Sequence, residues 1–365
     1  MHGSGRRGYT AKRGGRAEIM PGKRKFDEQI AALEALREQP EDGQSHDGQN
    51  EDRLEEDRLE KDRRAEPLRK ALGGKNNFVA AKAADLIREF RLTGLIPDLL
   101  AAFDRYFENA EKSDPQCWAK NAISHALAAF EHQDADVFLR GMRHIQMEPV
   151  WGGSSDTAGT LRATCALALV QCRGVSEAEL LKHLVDLLAD SDKAVRAEVV
   201  RGIEQVGSNA ASLLLRARAT LGKDEPEVLG ACYGGVLRIE GKPAVPWVSR
   251  FLKSHDDAAA EAALAIAGTR SLEGFEVLKD SLKESLIDPW FRSVVLSAIA
   301  LTRQPEAIEF LLELVGNDSR DAAGAIEAVL RSAPSEEVVE RLEKLVTGNA
   351  RLARVFKANR NSSRS

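Results

Sequence analysis

EAELLKHLVDLLADSDKAVRAEVVRGIEQVGSN, residues 177–209, is the stretch that decides the fold. Leu180, Leu181, Leu184, Val185, Leu187 and Leu188 recur at helical spacing and predict one amphipathic helix. Asp190-Ser191-Asp192 breaks it, and both turn residues and helix N-caps favour these types. Val195, Val199, Val200, Ile203 and Val206 then predict a second helix, which Gly207-Ser208-Asn209 stops. The unit is two helices and two turns, and neither helix can bury its apolar stripe alone.

The same phrase extends in both directions. Residues 66–93, 95–134, 135–176, 210–242, 243–274, 275–306 and 307–333 each carry an apolar helix, a polar or Gly/Pro break and a second helix. A recurrence of roughly 31–42 residues is the range of helical repeats, so about eight helix pairs are expected over 66–347, sharing one continuous apolar seam. A last helix, from Glu336 to about Val346, carries Glu337, Glu340, Arg341, Glu343 and Lys344 and is expected to close the array; 348–365 is expected to fray. The predicted class is all-α, a right-handed α-solenoid preceded by a disordered, charged N-terminal region.

The unit at 177–209 resembles the HEAT repeat, in the short bacterial form also found in phycobilisome lyase-like proteins. Asp190 in the turn and Val195-Arg196 opening the second helix carry the resemblance. In that family an Asp stands six residues before an Arg, and the two types form a ladder between adjacent repeats. Asp156 with Arg162 and Asp114 with Lys120 repeat the spacing. The resemblance therefore implies a structural ladder of Asp114, Lys120, Asp156, Arg162, Asp190 and Arg196. The pattern departs from the family at Arg292, which has Leu286 six residues before it and Asp288 four before it; Leu229, Ala260 and Ala323 replace the Arg elsewhere.

Composition agrees with close helix packing. Aromatic residues make up 5% of the chain, and Ala and Leu dominate its apolar content, which suits helix axes that approach closely. The formal net charge is −5, from 57 acidic and 52 basic residues, so long-range attraction to a phosphate backbone is not expected. Cys117, Cys165, Cys172 and Cys232 include no Cys-x-x-Cys pair and are expected to be reduced core residues. No apolar run reaches the roughly 20 residues that span a bilayer, and Arg6-Arg7 is followed by no apolar segment. A cytoplasmic location is expected, with no membrane partner.

Residues 1–65 hold too few apolar side chains to offset the entropy of ordering. Within them Phe26, Ile30, Leu33 and Leu36 predict a short amphipathic helix over 26–38, able to dock on a partner or on the array's own end. The charged run 51–64 reads as a solvated linker, and Met20 before Pro21-Gly22-Lys23 offers a second start.

No catalytic constellation is present. None of His125, His132, His144, His183 and His255 precedes a Glu, so the His-Glu pairs of the HEAT-type di-iron hydroxylases are missing, and no phosphate-cradling loop occurs. No catalytic residue, metal ligand or cofactor is assigned. Binding is expected instead on the free side of the second helices. If Val195, Val199 and Ile203 face inward, Glu198, Arg201 and Gln205 face outward, matched by Arg238 in the next repeat. Thr164, Leu167 and Gln171, Ala231 and Gly234, and Val294, Ser297 and Leu301 complete a weakly charged, small-residued face. The longer connection 146–157 carries Trp151 beside Gly152-Gly153, an exposed contact candidate. Trp118, Trp247 and Trp290 are expected to be packing residues.

These features point to a scaffold or adaptor that holds a helix or peptide of another protein, with a monomer favoured. The HEAT subtype implies a cofactor-handling or phycobilin-lyase-like helper as the alternative, which bound chromophore in the purified protein would reveal. Nucleic-acid binding is the third reading, and salt-dependent affinity would mark it.

Overall fold

A computed structural model describes residues 21–38, 63–283 and 288–362. The expected disorder before residue 21 and the charged linker at 39–62 lie outside the described residues. The chain is mostly helical and divides into two bodies. The first runs to Phe130 and includes Glu148–Val150. It contains α1 (Pro21–Glu38), α2 (residues 63–72), α3 (Asn77–Glu89), α4 (Ile96–Arg105), the single turn α5 (Ala110–Ser113) and α6 (Trp118–Ala129). The second holds the rest of the described chain. Its helices begin with α7 (Ala135–Met142), α8 (Gly159–Val170), α9 (Glu177–Leu187), α10 (Lys193–Val206), α11 (Asn209–Leu221) and α12 (Pro226–Glu240). They continue with α13 (Val245–Ser249), α14 (Asp257–Gly268), α15 (Leu272–Ser281), α16 (Pro289–Leu301), α17 (Pro305–Gly316), α18 (Ala322–Arg331), α19 (Glu336–Val346) and α20 (Ala350–Ser362).

Helix starts follow their capping residues. Ser176 Oγ accepts from the N–H of Glu179 at the head of α9, Asp192 Oδ1 from Ala194 in α10, and Ser208 Oγ from Ala211 in α11. Gly207 closes α10 at φ 70°, a left-handed conformation that costs glycine little.

In the second body the second helices form a continuous row: α8 packs on α10, α10 on α12, α12 on α14, α14 on α16, α16 on α18 and α18 on α20. Cys165, Val199, Cys232, Ala262, Ile266, Val295, Ile299, Ile326 and Val329 are buried along this seam. Each buried aliphatic side chain contributes about 1.5–3 kcal/mol of transfer free energy, most of it offset by ordering the chain. Close approach is built in where α7 meets α8, since a Cβ at Gly141 would collide with Cys165 Sγ. All four cysteines are buried, as their apolar spacing predicts, and burial pushes the Cys232 thiol up to about 12.

Several expectations are corrected. The connection after α7 is not purely irregular: β1 (Met147–Val150) and β2 (Gly153–Asp156) pair as a two-stranded hairpin. Gly152, at φ 89°, turns the chain back. The expected tail 348–365 does not fray over 350–362, because Leu352 and Phe356 stand one helical turn apart, are buried, and seat α20 against α18 and α19. The N-terminal helix expected at 26–38 begins at Pro21 and docks on α3, with Leu33 and Leu36 buried. The ordered body expected from Glu66 is helical from residue 63. Trp118 and Trp290, expected as packing residues, are each about half exposed at 48% and 47%.

Candidate partner-binding face

The Asp/Arg ladder lies at the turns that begin the second helices. In the first body Lys120 and Asp114 are wholly buried, with Nζ 3.0 Å from Oδ2, and Lys120 also donates to the Tyr106 carbonyl at 3.1 Å. Asp114 accepts from the N–H groups of Ala119 and Lys120, and Asn77 Nδ2 donates to Asp114 Oδ1 at 2.9 Å. In the second body Arg162 bridges two turns, reaching Asp156 at 2.6 Å and Asp190 at 2.7 Å. Arg196 donates to the backbone carbonyl of Asp190, and its fork is taken by Asp224 at 2.7 Å and by Glu225. Arg218 closes on the same Asp224.

The six-residue spacing therefore captures one arm of the rungs at Lys120, Arg162 and Arg196. The longer arm joins a base to an acid 28 residues on, as from Arg162 to Asp190 and from Arg196 to Asp224. It also recovers a rung where the family spacing fails: Arg292 pairs with Asp321, 29 residues later, at 2.5 Å, while Asp288 caps α16. That interval was the available signal for Asp224, Arg292 and Asp321, whereas Arg218 stands only six residues before Asp224. An open hollow is lined by the paired charges Arg196, Arg218 and Asp224 together with Lys223.

Burial pushes the carboxyls of Asp156 and Asp224 up, but hydrogen bonds outweigh it. Asp156 is held below its ordinary range by the N–H groups of Gln146 and Ala158 and by Arg162; Asp224 is held below by Arg196 and Arg218. A depressed carboxyl contributes stability that is complete above its unfolded value of about 3.9 and is lost as pH falls through the folded value. The denaturant midpoint is thus expected to hold down to about pH 4 and then fall. Asp224→Asn should flatten that acid limb, and an unaltered limb would count against Asp224 as a contributor.

Above the ladder, one side of the second helices is left uncovered. Val195, Val199 and Ile203 are buried as expected, and Arg201 and Gln205 are exposed with Glu198 half-buried. Glu198 pairs with Arg201 on α10, Arg238 of α12 pairs with Glu204 of α10, and Gln171, the C-cap of α8, donates to Gln205 at 3.5 Å. Glu198, Arg201, Gln205 and Arg238 thus belong to one face, and its charges neutralise one another. Leu264 on α14 and Leu301 on α16 are large exposed apolar groups on the corresponding sides of their helices. Glu261 of α14 lies against Gly230 of α12, where burial and then the neighbouring Glu227 raise its carboxyl above the usual range. Sequence spacing missed Leu264 and Glu261, because the Arg-less helix α14 offers no register mark.

Trp151 sits on a separate element, the tip of the β1–β2 hairpin, and is wholly exposed. Asp156 fixes the base of that hairpin by accepting from the N–H groups of Gln146 and Ala158, both at 3.0 Å, while holding Arg162. The ring is therefore carried on an arm rooted in the ladder, and Ile145 and Met147 earlier in that connection are exposed as well.

Among the described residues no helix is long and apolar enough to cross a membrane, and no three His, Cys, Asp or Glu side chains gather in a metal-holding group. No protein-family model matches the chain, and a search of curated proteins returns no significant match.

Proposed function

We propose that each body is a stack of HEAT-type helix pairs with the right-handed winding of α-solenoids, and that the chain is an adaptor. Its uncovered second-helix face holds a helix or extended peptide of another protein. The observation that carries this reading is the unbroken row from α8 to α20, whose free side combines exposed Leu264 and Leu301 with the self-neutralised pairs Glu198–Arg201 and Glu204–Arg238. A peptide helix suits such a face because apolar anchors supply the affinity, while paired charges at the rim set orientation. Phosphate recognition would call for a stripe of unpaired Lys and Arg instead.

Affinity purification with quantitative mass spectrometry tests the reading. Leu264→Asp with Leu301→Asp is expected to lower recovery of one defined protein at least tenfold at unchanged melting temperature. Leu213→Asp, an exposed site on α11, should leave recovery intact. Trp151→Ala should lower recovery without moving stability by more than about 0.5 kcal/mol, since a fully exposed side chain packs on nothing. Equal recovery by all variants would overturn the assignment.

A further inference from the structure

The first body holds a second surface, independent of the face just described. α1 lies along α3 in parallel register. The Phe26 and Phe78 rings stand 5.6 Å apart, Lys82 reaches Glu34 at 2.8 Å, and Arg37 Nε reaches Glu89 at 3.0 Å. Phe78 also meets Trp118 of α6, with ring centroids 5.3 Å apart, so three aromatic rings from three helices line up.

This cover is held weakly. Leu33 and Leu36 are its fully buried apolar anchors, and Phe26 and Ile30 are half-buried. Its polar links are solvent-exposed pairs, with Arg37 and Glu89 each 44% accessible, and such pairs contribute little net stability. α1 also leaves the aromatic row partly open, since Phe78 is 39% and Trp118 48% exposed. Residues 39–62 separate α1 from the rest of the body, whereas 347–349 alone separate α19 from α20. The helix is joined to its seat as a tethered ligand is joined to a receptor.

We infer that the α1 seat on α3 is a helix-binding site whose resident occupant is the chain's own N-terminal helix. In trans it accepts an amphipathic helix with the α1 pattern: a phenylalanine, an acidic residue eight positions on, and an arginine three beyond that, with apolar residues at the places of Ile30, Leu33 and Leu36. The pattern follows from the seat. Phe78 takes the ring, Lys82 the acid and Glu89 the arginine. Because seat and occupant belong to one chain, the resident helix competes with any visitor.

A fluorescent peptide of residues 21–38 tests this in the full chain. Leu33→Asp with Leu36→Asp unseats α1 without touching α3, and peptide affinity is expected to rise at least tenfold over the unsubstituted protein. A second unseating variant, Glu34→Lys with Arg37→Glu, alters exposed charges alone and should give the same direction. Adding Glu89→Arg to the Leu33→Asp with Leu36→Asp variant turns the Arg37–Glu89 attraction into repulsion and should weaken the peptide, and a peptide carrying Arg37→Glu should recover it. Equal affinity before and after unseating, or no binding by an unseated protein of unchanged melting temperature, would overturn the site. Loss of partner recovery from the second-helix face would not alter these results, so the two readings fail separately.

Discussion

Lys120→Met is expected to destabilise the first body by about 3–5 kcal/mol, because it leaves the Asp114 carboxylate buried without its counter-ion. Both side chains have zero accessible surface, so no water is available to replace the lost charge. The ammonium also donates to the Tyr106 carbonyl, which is then left with the longer hydrogen bond from Ser113 Oγ at 3.4 Å. Denaturant unfolding followed by hydrogen exchange at α3 and α6 amides is the measurement. Exchange confines the effect to this body, where a single midpoint for a multi-body chain would not. Asp114→Asn with Lys120→Met should recover part of the loss, since a neutral amide leaves no buried charge, although its single oxygen accepts from only one of the two N–H groups that the carboxylate oxygens take from residues 119 and 120. A deficit below about 1 kcal/mol would mean that the pair is not isolated from solvent.

Arg162→Ala should be comparably severe in the second body, at about 3–5 kcal/mol, because one guanidinium serves two low-accessibility carboxylates. It also donates to the His144 carbonyl at 3.0 Å, so three acceptors each lose one donor together. The local signature is faster amide exchange at 156–158 and 190–192 at once, although these turns are far apart in sequence. Arg162→Lys should rescue incompletely, since an ammonium cannot form the two-pronged contact with Asp190 made through Nε and Nη2. Exchange confined to one of the two turns would show that the bridge does not join them.

Much of this architecture was legible before any coordinates. In α9 and α10 the apolar residues recur so regularly that element type, turn and buried face all follow, and Asp192, Ser208 and Gly207 mark the boundaries. The ladder was half legible. An Asp six residues before an Arg falls within one repeat, whereas the arm from Arg196 to Asp224 joins residues that become neighbours only after two turns stack. The β1–β2 hairpin was illegible because Met147-Glu148-Pro149-Val150 has no period-two alternation and contains a proline. Its ordering comes instead from Asp156 at its base. α20 was missed for a related reason: Leu352 and Phe356 are sparse among Arg and Asn, and two anchors suffice only because α18 supplies the surface they bury against. The outward positions of α10 followed from helical offsets alone, but the mutual neutralisation of Glu204 and Arg238 needed the spacing between helices.

The gap in the ladder has a mechanical meaning. From Asp156 through Arg162, Asp190, Arg196 and Asp224 each residue is shared with the next, so a break at one turn strains its successor and the segment should open as a zipper does, all together. Leu229 and Ala260 interrupt the zipper, and its teeth resume at Arg292 and Asp321. Pulled from either terminus, the second body carries a built-in perforation across α12 and α14, where no Asp/Arg rung joins the two helices among the described residues.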